Sequence, residues 1–470
     1  TPPWNFPIAI PCGTCVSLLA SGSAVIFKPA AASARVGAVL AECLWAAGVP
    51  KEVLAFIQLS EHELGQRLMT HPEVDRVVLT GGIDTAKRFR SWKPDMRLLA
   101  ETSGKNAIIV TPSADLDLAV KDVVNSAFGH AGQKCSAASL AILVGSVGTS
   151  KRFHDQLIDA VNSLVVDYPT NPMAEIGPLT QPASGKLLRG LTTLGHGERW
   201  AIKPRQLDDT GRLWRPGVRV GVKPQSEYHM VEYFGPILGI MRCDTLEEAI
   251  EWQNATDYGL TAGLHSLDAD EINYWLERID AGNVYVNRGI TGAIVRRQPF
   301  GGWKRSAVGA GSKAGGPNYL AGLGEWKSAP ASTTNGEVVL RSRVLAQAAK
   351  VADDFEGQTK TDAIAALKSA QQALDGEFGA LHDPSGLPCE KNVLRYFPVP
   401  VLVRLADDQA GEGDTLSEDA QAKLLRVVAA GCATGAEVRV SAPRPLGDAL
   451  ANFCHLHHVT VRVDTDEQFA

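Results

Sequence analysis

Through the first hundred positions, short apolar runs alternate with longer amphipathic stretches. Ser23-Ala-Val-Ile-Phe27 reads as a buried strand. Residues 34–47, ARVGAVLAECLWAA, place apolar side chains at helical spacing before the stop Gly48-Val-Pro50. Val53–Leu59 predicts a second strand and Glu63–Thr70 a second helix. Asp75–Leu79 predicts a third strand, running into Thr80-Gly81-Gly82 and a helix from about Thr85. Repeated strand–helix units of this kind specify an α/β fold, a doubly wound sheet whose ligands lie at the strand carboxyl ends.

A second α/β region starts near Asn106, with a helix over Ser113–Phe128 and then the segment HAGQKCSA at 130–137. Further on, Thr245-Leu-Glu-Glu248 opens a helix with a capping box. The chain turns glycine-rich over 287–325, and 326–337, which contains SAPASTTNGE, reads as a linker. Beyond it, strands at Val399–Leu405 and Glu437–Val440 flank a helix at about Glu418–Ala430. A last helix and the strand VTVRV complete a small Rossmann-like pattern within 338–470.

Composition narrows the classes. A chain of 470 residues exceeds one ordinary core, so two or three domains are expected. The net charge of −6, with signs interspersed, leaves no basic stripe for nucleic acid. No apolar run approaches the ~18 residues of a membrane span, and no signal-peptide pattern opens the chain. Eight scattered cysteines suit a reducing cytoplasm rather than a disulfide framework. Cys12-Gly-Thr-Cys15 lacks a second ligand pair, and the alternate residues of Cys454–His458 more simply face solvent, so no metal is expected.

Four stretches could carry chemistry. Cys135 sits among small and polar neighbours that admit a substrate, although free cysteines are most often buried and inert. Glu101 follows an apolar strand and precedes a glycine turn, where a carboxylate reaches into a cleft or merely caps. Asn5 is boxed between prolines and aromatics, and Lys28 ends a buried strand where a cation suits a ribose or phosphate. Alone, Asn5 is a turn residue and Lys28 a snorkelling lysine.

Taken together and in order, the motifs PWNFP at 3–7, FKP at 27–29, LTGG at 79–82, ETSGKN at 101–106, GQKCSA at 132–137 and EYFGP at 232–236 resemble the aldehyde dehydrogenase superfamily. They cover about residues 1–325, roughly the last two-thirds of a standard member. The resemblance implies a Rossmann-type cofactor domain over 1–104, a catalytic domain over 105–325, the linker, and a Rossmann-like accessory domain over 338–470. It implies Cys135 as thiolate nucleophile, and the Asn5 amide with the Cys135 N–H as oxyanion donors. Hydride transfer to a nicotinamide would leave a thioester, with Glu101 as general base for its hydrolysis. Glu232, Phe234, Lys28, Gly81, Gly82, Pro3 and Trp4 match the family's cofactor positions. Ala31 stands where an acidic residue often holds the adenosine ribose, so NAD is expected with NADP as the alternative.

For the substrate, residues 283–300 and KAGGPNYL at 313–320 resemble the glutamate-γ-semialdehyde dehydrogenases, and more closely the dehydrogenase half of bifunctional proline utilisation A proteins. Successive N–H groups of a glycine-rich loop suit the carboxylate of an α-amino acid. Gly315 and Gly316 are the expected anchor, with Ser136 and Ser306 as hydroxyl donors. About two extra residues between FGG and KAGGP leave open which amides point inward. The same resemblance implies a fragment whose parent carries an upstream FAD-dependent proline dehydrogenase part, and a homo-oligomer. Two rivals stay open: a dehydrogenase for another semialdehyde, and a non-catalytic product.

Overall fold

Five successive apolar or small positions, Asn106–Val110, form a strand buried on both faces, as a central parallel strand requires. It lies within a seven-stranded sheet of order Asn283–Val286, Thr261–His265, Asn106–Val110, Ala138–Val144, Ile237–Cys243, Gly217–Val220 and Arg199–Ile202. Neighbours run parallel except the last pair, which is antiparallel. The computed structural model describes residues 1–59, 62–309, 311, 313–325, 327 and 338–469. It divides into two units, Thr1–Trp326 and Lys327–Ala470. Apart from residue 327, the expected linker lies outside the described residues.

The main core of the first unit packs the helix Leu116–Phe128 on the large sheet, through Ala119, Val123, Ala127 and Phe128 against Ile108, Leu140 and Ile142. Each such fully buried aliphatic side chain contributes roughly 2 kcal/mol of transfer free energy. The helix starts later than its apolar pattern because Asp115 caps it, accepting from the N–H groups of Asp117 and Leu118 at 3.1 Å. The capping box at Thr245 forms, with a twist. Thr245 Oγ1 accepts from the Glu248 N–H, but the Glu248 carboxylate reaches back to the N–H of Asp244.

The amino-terminal strands form smaller sheets. Val25–Phe27 pairs in parallel with Leu54–Phe56, so the expected strand Val53–Leu59 is cut to the length of its partner. Val77–Thr80 runs parallel to Leu98–Glu101, which pairs antiparallel with Ala307–Val308. The Thr1 amine and carbonyl bond Val78 O and Thr80 N at the free edge of Val77–Thr80. A cavity of about 460 Å³ lies alongside, lined by residues 23–28 and 73–78, with Thr80.

The second unit holds a parallel sheet, Val401–Arg404, Val438–Ala442 and Thr460–Val463 in that order. The helices Glu418–Ala433 and Asp448–Leu456 cross between these strands, with Leu425, Val428, Leu450 and Cys454 in the core. Two further helices, Arg343–Ala352 and Gly357–Ala373, supply Leu345, Ala348 and Leu367 to the same core. No helix among the described residues is long and apolar enough to cross a membrane.

Candidate active site

Asn106, the last residue of ETSGKN, organises the cysteine loop. Its Nδ2 donates to the carbonyls of Cys135 at 2.7 Å and Ala137 at 2.9 Å, while its Oδ1 accepts from the Thr261 N–H at 3.1 Å. A Cβ at Gly104 would stand 2.6 Å from Cys135 O, so the loop also requires a glycine there. Sequence reading quoted Asn106 only as part of a motif; its buried position at a strand start beside the glycine turn was the available signal. Asn106→Leu would keep the volume and strand the bonding partners. It is expected to cost about 3 kcal/mol, read as a lower denaturant midpoint, and a loss below about 1 kcal/mol would refute the clamp.

Ahead of the cysteine the backbone is left-handed at His130 (φ 59), Ala131 (φ 52) and Gly132 (φ 67). Non-glycine residues adopt this region at a cost of roughly 1 kcal/mol or more each. At Gly132 a Cβ would meet Gly235 O at 2.1 Å, so the loops of GQKCSA and EYFGP touch backbone to backbone. The His130 ring stacks on Phe6 with centroids 5.4 Å apart, and the Asn5 amide donates to Gln133 O at 3.1 Å. These contacts tie the opening PWNFP stretch to the cysteine loop.

Two carboxylates, Glu101 and Glu232, act electrostatically on Cys135. Burial pushes the Cys135 thiol up to about 12, helped by the charges of Glu232 and Glu101, while the N–H groups of Ser136 and Cys135 itself oppose the shift. Burial raises Glu101 to about 8 against the pull of Lys313 and the Gly302 N–H. Its Oε2 has no hydrogen-bond partner among the described residues. Burial also raises Glu232, whose Oε1 accepts from the Gly104 N–H at 3.0 Å. Lys105, which sequence reading passed over, is lowered to about 7 by burial. Its Nζ lies 4.2 Å from the Tyr228 ring centroid and has no hydrogen-bond partner among the described residues.

The positions expected to hold a dinucleotide divide, with Glu232 and Phe234 lining one cavity and Lys28 another. Phe234 is left-handed (φ 60), and its ring meets Trp4 edge to face at 5.7 Å. Pro3 precedes Trp4 in the same half-buried stretch. The Gly81 N–H bonds the Glu101 carbonyl at 3.0 Å. Gly82 caps the helix Ile83–Trp92 without a side chain and has open space where a Cβ would stand. At that helix end the Ile83 N–H is given to Ser103 Oγ at 3.4 Å and the Thr85 N–H to Gly82 O at 3.0 Å. Lys28 follows Val25–Phe27 and borders the 460 Å³ cavity together with Thr80. This donor set fits a dinucleotide.

The expected substrate residues divide. Ser136 adjoins Cys135 and is only 5 % exposed. Gly315 is left-handed (φ +74) near Val295, and the Gly316 N–H bonds Lys313 O at 2.9 Å. Ser306 must be withdrawn from the set. It is fully buried, donates to Ser103 O at 2.7 Å and accepts from the Gly259 N–H at 3.1 Å, so its hydroxyl is committed to packing. Among the described residues no cluster of His, Cys, Asp and Glu could hold a metal ion.

Comparison with known proteins follows the same lines. A model of the aldehyde dehydrogenase family matches residues 2–329. The 1-pyrroline-5-carboxylate dehydrogenase of Bacillus pumilus is 37% identical over 333 residues, which are 68% of this chain and 63% of that protein. The chain thus spans less than two-thirds of that relative's length. The structure of proline utilization A from Corynebacterium freiburgense is 46% identical, with a TM-score of 0.84, covering 98% of this chain and 46% of the other. A 1-pyrroline-5-carboxylate dehydrogenase from Thermus, solved with bound NAD, is 33% identical, with a TM-score of 0.62 over 68% of this chain and 64% of its own.

Proposed function

Because the chain belongs to the aldehyde dehydrogenase family, we propose that it carries the NAD-dependent oxidation of L-glutamate γ-semialdehyde to L-glutamate, the second step of proline catabolism. The observation that carries this reading is the bracing of the cysteine loop, where Asn106 donates to the carbonyls of Cys135 and Ala137 and Asn5 donates to Gln133 O, so that PWNFP, ETSGKN and GQKCSA meet around Cys135. Identity to 1-pyrroline-5-carboxylate dehydrogenases and to proline utilization A supports the substrate assignment.

Cys135 sulfur adds to the aldehyde carbon and makes a thiohemiacetal, its oxyanion held by the Cys135 N–H and the Asn5 amide. That placement asks the Asn5 amide to turn from Gln133 O, its present acceptor. NAD, when bound, supplies the acceptor for the hydride that leaves this carbon. Lys28, Gly81, Gly82, Glu232 and Phe234, with Pro3 and Trp4, are the residues that would hold it. Glu101 then takes a proton from water as the water attacks the thioester; the C–S bond breaks, and L-glutamate leaves as the carboxylate. Of the expected anchor, the Gly315 amide and the Ser136 hydroxyl remain our candidates for the amino-acid end of the substrate, while the Gly316 N–H is taken by Lys313 O.

The test compares NADH formation with glutamate γ-semialdehyde, succinate semialdehyde and propanal. Preference for the first over propanal by roughly 100-fold in kcat/KM is expected, since unpaired buried donors reject a substrate lacking the carboxylate. Equal rates would leave the cysteine chemistry standing and remove the anchor.

A further inference from the structure

We propose that Lys313 is a positioning residue for Glu101: its ammonium fastens the Gly301–Gly302 turn onto the carboxyl and keeps a cation beside it. This rests on the reading of Glu101 as general base. Lys313 Nζ donates to Gly282 O at 2.5 Å and Gly301 O at 2.6 Å, with Asn283 Oδ1 at 3.4 Å. It therefore ties the head of the strand Asn283–Val286 to the turn. The same glycine is pressed by both partners: a Cβ at Gly301 would meet Glu101 Oε1 at 2.9 Å and Lys313 Cγ at 3.0 Å. The next N–H, that of Gly302, faces the carboxyl.

The surroundings single Lys313 out. Phe300 and Ala314 exchange both backbone hydrogen bonds, at 2.9 and 2.8 Å, so the turn and the lysine segment are held in register. Asn283 Oδ1 accepts from the Gly301 N–H at 3.0 Å, and its Nδ2 donates to Pro299 O at 3.0 Å. Among the described residues, the titratable groups that face Glu101 are Lys313, Cys135 and Tyr319, the last bonded to Thr14. Of these only Lys313 can be positive. Burial lowers it to about 8 while Glu101 holds it up. Burial opposes the charge on both partners, and each favours the charged form of the other.

A lysine that served only as a staple would affect every step and leave the titration of Glu101 in place. A lysine that positions and charges the base acts on hydrolysis alone. p-Nitrophenyl acetate separates the two without any dinucleotide. Cys135 sulfur attacks the ester carbonyl, the bond to the aryl oxygen breaks, and p-nitrophenolate appears as a burst. Water then gives a proton to Glu101 and attacks the thioester, the C–S bond breaks, and acetate leaves.

Lys313→Met should retain the burst, deacylate roughly ten-fold more slowly near pH 8, and show an acid limb moved upward by about one pH unit. Lys313→Arg should restore most of the rate and the limb. A Lys313→Met profile that superimposes on the parent's, or falls equally at every pH with the limb unmoved, overturns the proposal. Should the methionine variant fail to fold by circular dichroism, the arginine variant decides: a parental limb supports the role of the charge, and a shifted one overturns it. Absence of the burst in the parent chain, or its survival in Cys135→Ser, would instead sink the underlying reading of the site.

Discussion

Replacing Cys135 with serine is expected to lower aldehyde oxidation by roughly 10⁴-fold or more, with the fold intact. The thiol belongs to none of the hydrophobic clusters, and the residue is only partly buried, so serine removes reactivity without opening a cavity. Burial and the charges of Glu232 and Glu101 raise the thiol, so the thiolate is the minor form near neutral pH. A hydroxyl is scarcer still as an alkoxide. Its attack needs a base far stronger than a carboxylate. The check pairs NADH formation with circular dichroism. Residual oxidation above about one part in a thousand would move the nucleophile to another group.

The second large effect belongs to Glu101→Gln. Loss of a positioned base is worth roughly 10² to 10⁴ in rate, and here the loss should fall on thioester hydrolysis alone. Rapid-mixing measurements are expected to show one enzyme equivalent of NADH and then a stalled steady state. The pH dependence has a definite sign. Glu101 is raised from 4.5 to about 8, so the basic form accumulates only as pH climbs through about 8, and native kcat should rise across that window. The glutamine variant should show no such limb. Folding carries the opposite sign. Between 4.5 and about 8 the native state binds more protons at this site than the unfolded chain, so this group's contribution to stability declines as pH rises. The glutamine variant escapes that decline and should melt above the native protein at alkaline pH. A native profile flat through that window, or a variant with unchanged turnover, would dismiss Glu101 as the base.

Much of this architecture was written in local pattern. The strands Val25–Phe27, Val77–Thr80 and Leu98–Glu101 are short apolar runs closed by glycine or proline, and such runs are recognisable without knowledge of their partners. The helix Ala34–Ala46 and the capped helix Leu246–Asn254 likewise carry their own start and stop signals. Other features depended on distant partners. Arg199–Ile202 is a strand because Gly217–Val220 offers an antiparallel edge, with a register shift at Val218. The helix Gly357–Ala373 carries alanine and polar side chains on much of its surface, so its apolar stripe is faint until the core of the second unit is assembled. In the candidate site, GQKCSA, ETSGKN and EYFGP announced themselves by residue type. Burial decided the rest: it commits Ser306 to packing and turns Lys105 and Lys313 from ordinary lysines into desolvated cations.

The left-handed run His130–Gly132 carries a further implication, for heat and denaturant. Two of its residues are held where an isolated peptide would not stay, secured by Phe6, by the hydrogen bond from Asn5 to Gln133 and by the close pass at Gly235. Strain of this kind is released as soon as the braces loosen, well before the buried sheet beneath gives way. The cysteine loop is therefore expected to loosen before the sheet, so that on heating or in denaturant the loss of Cys135 reactivity should precede the loss of secondary structure.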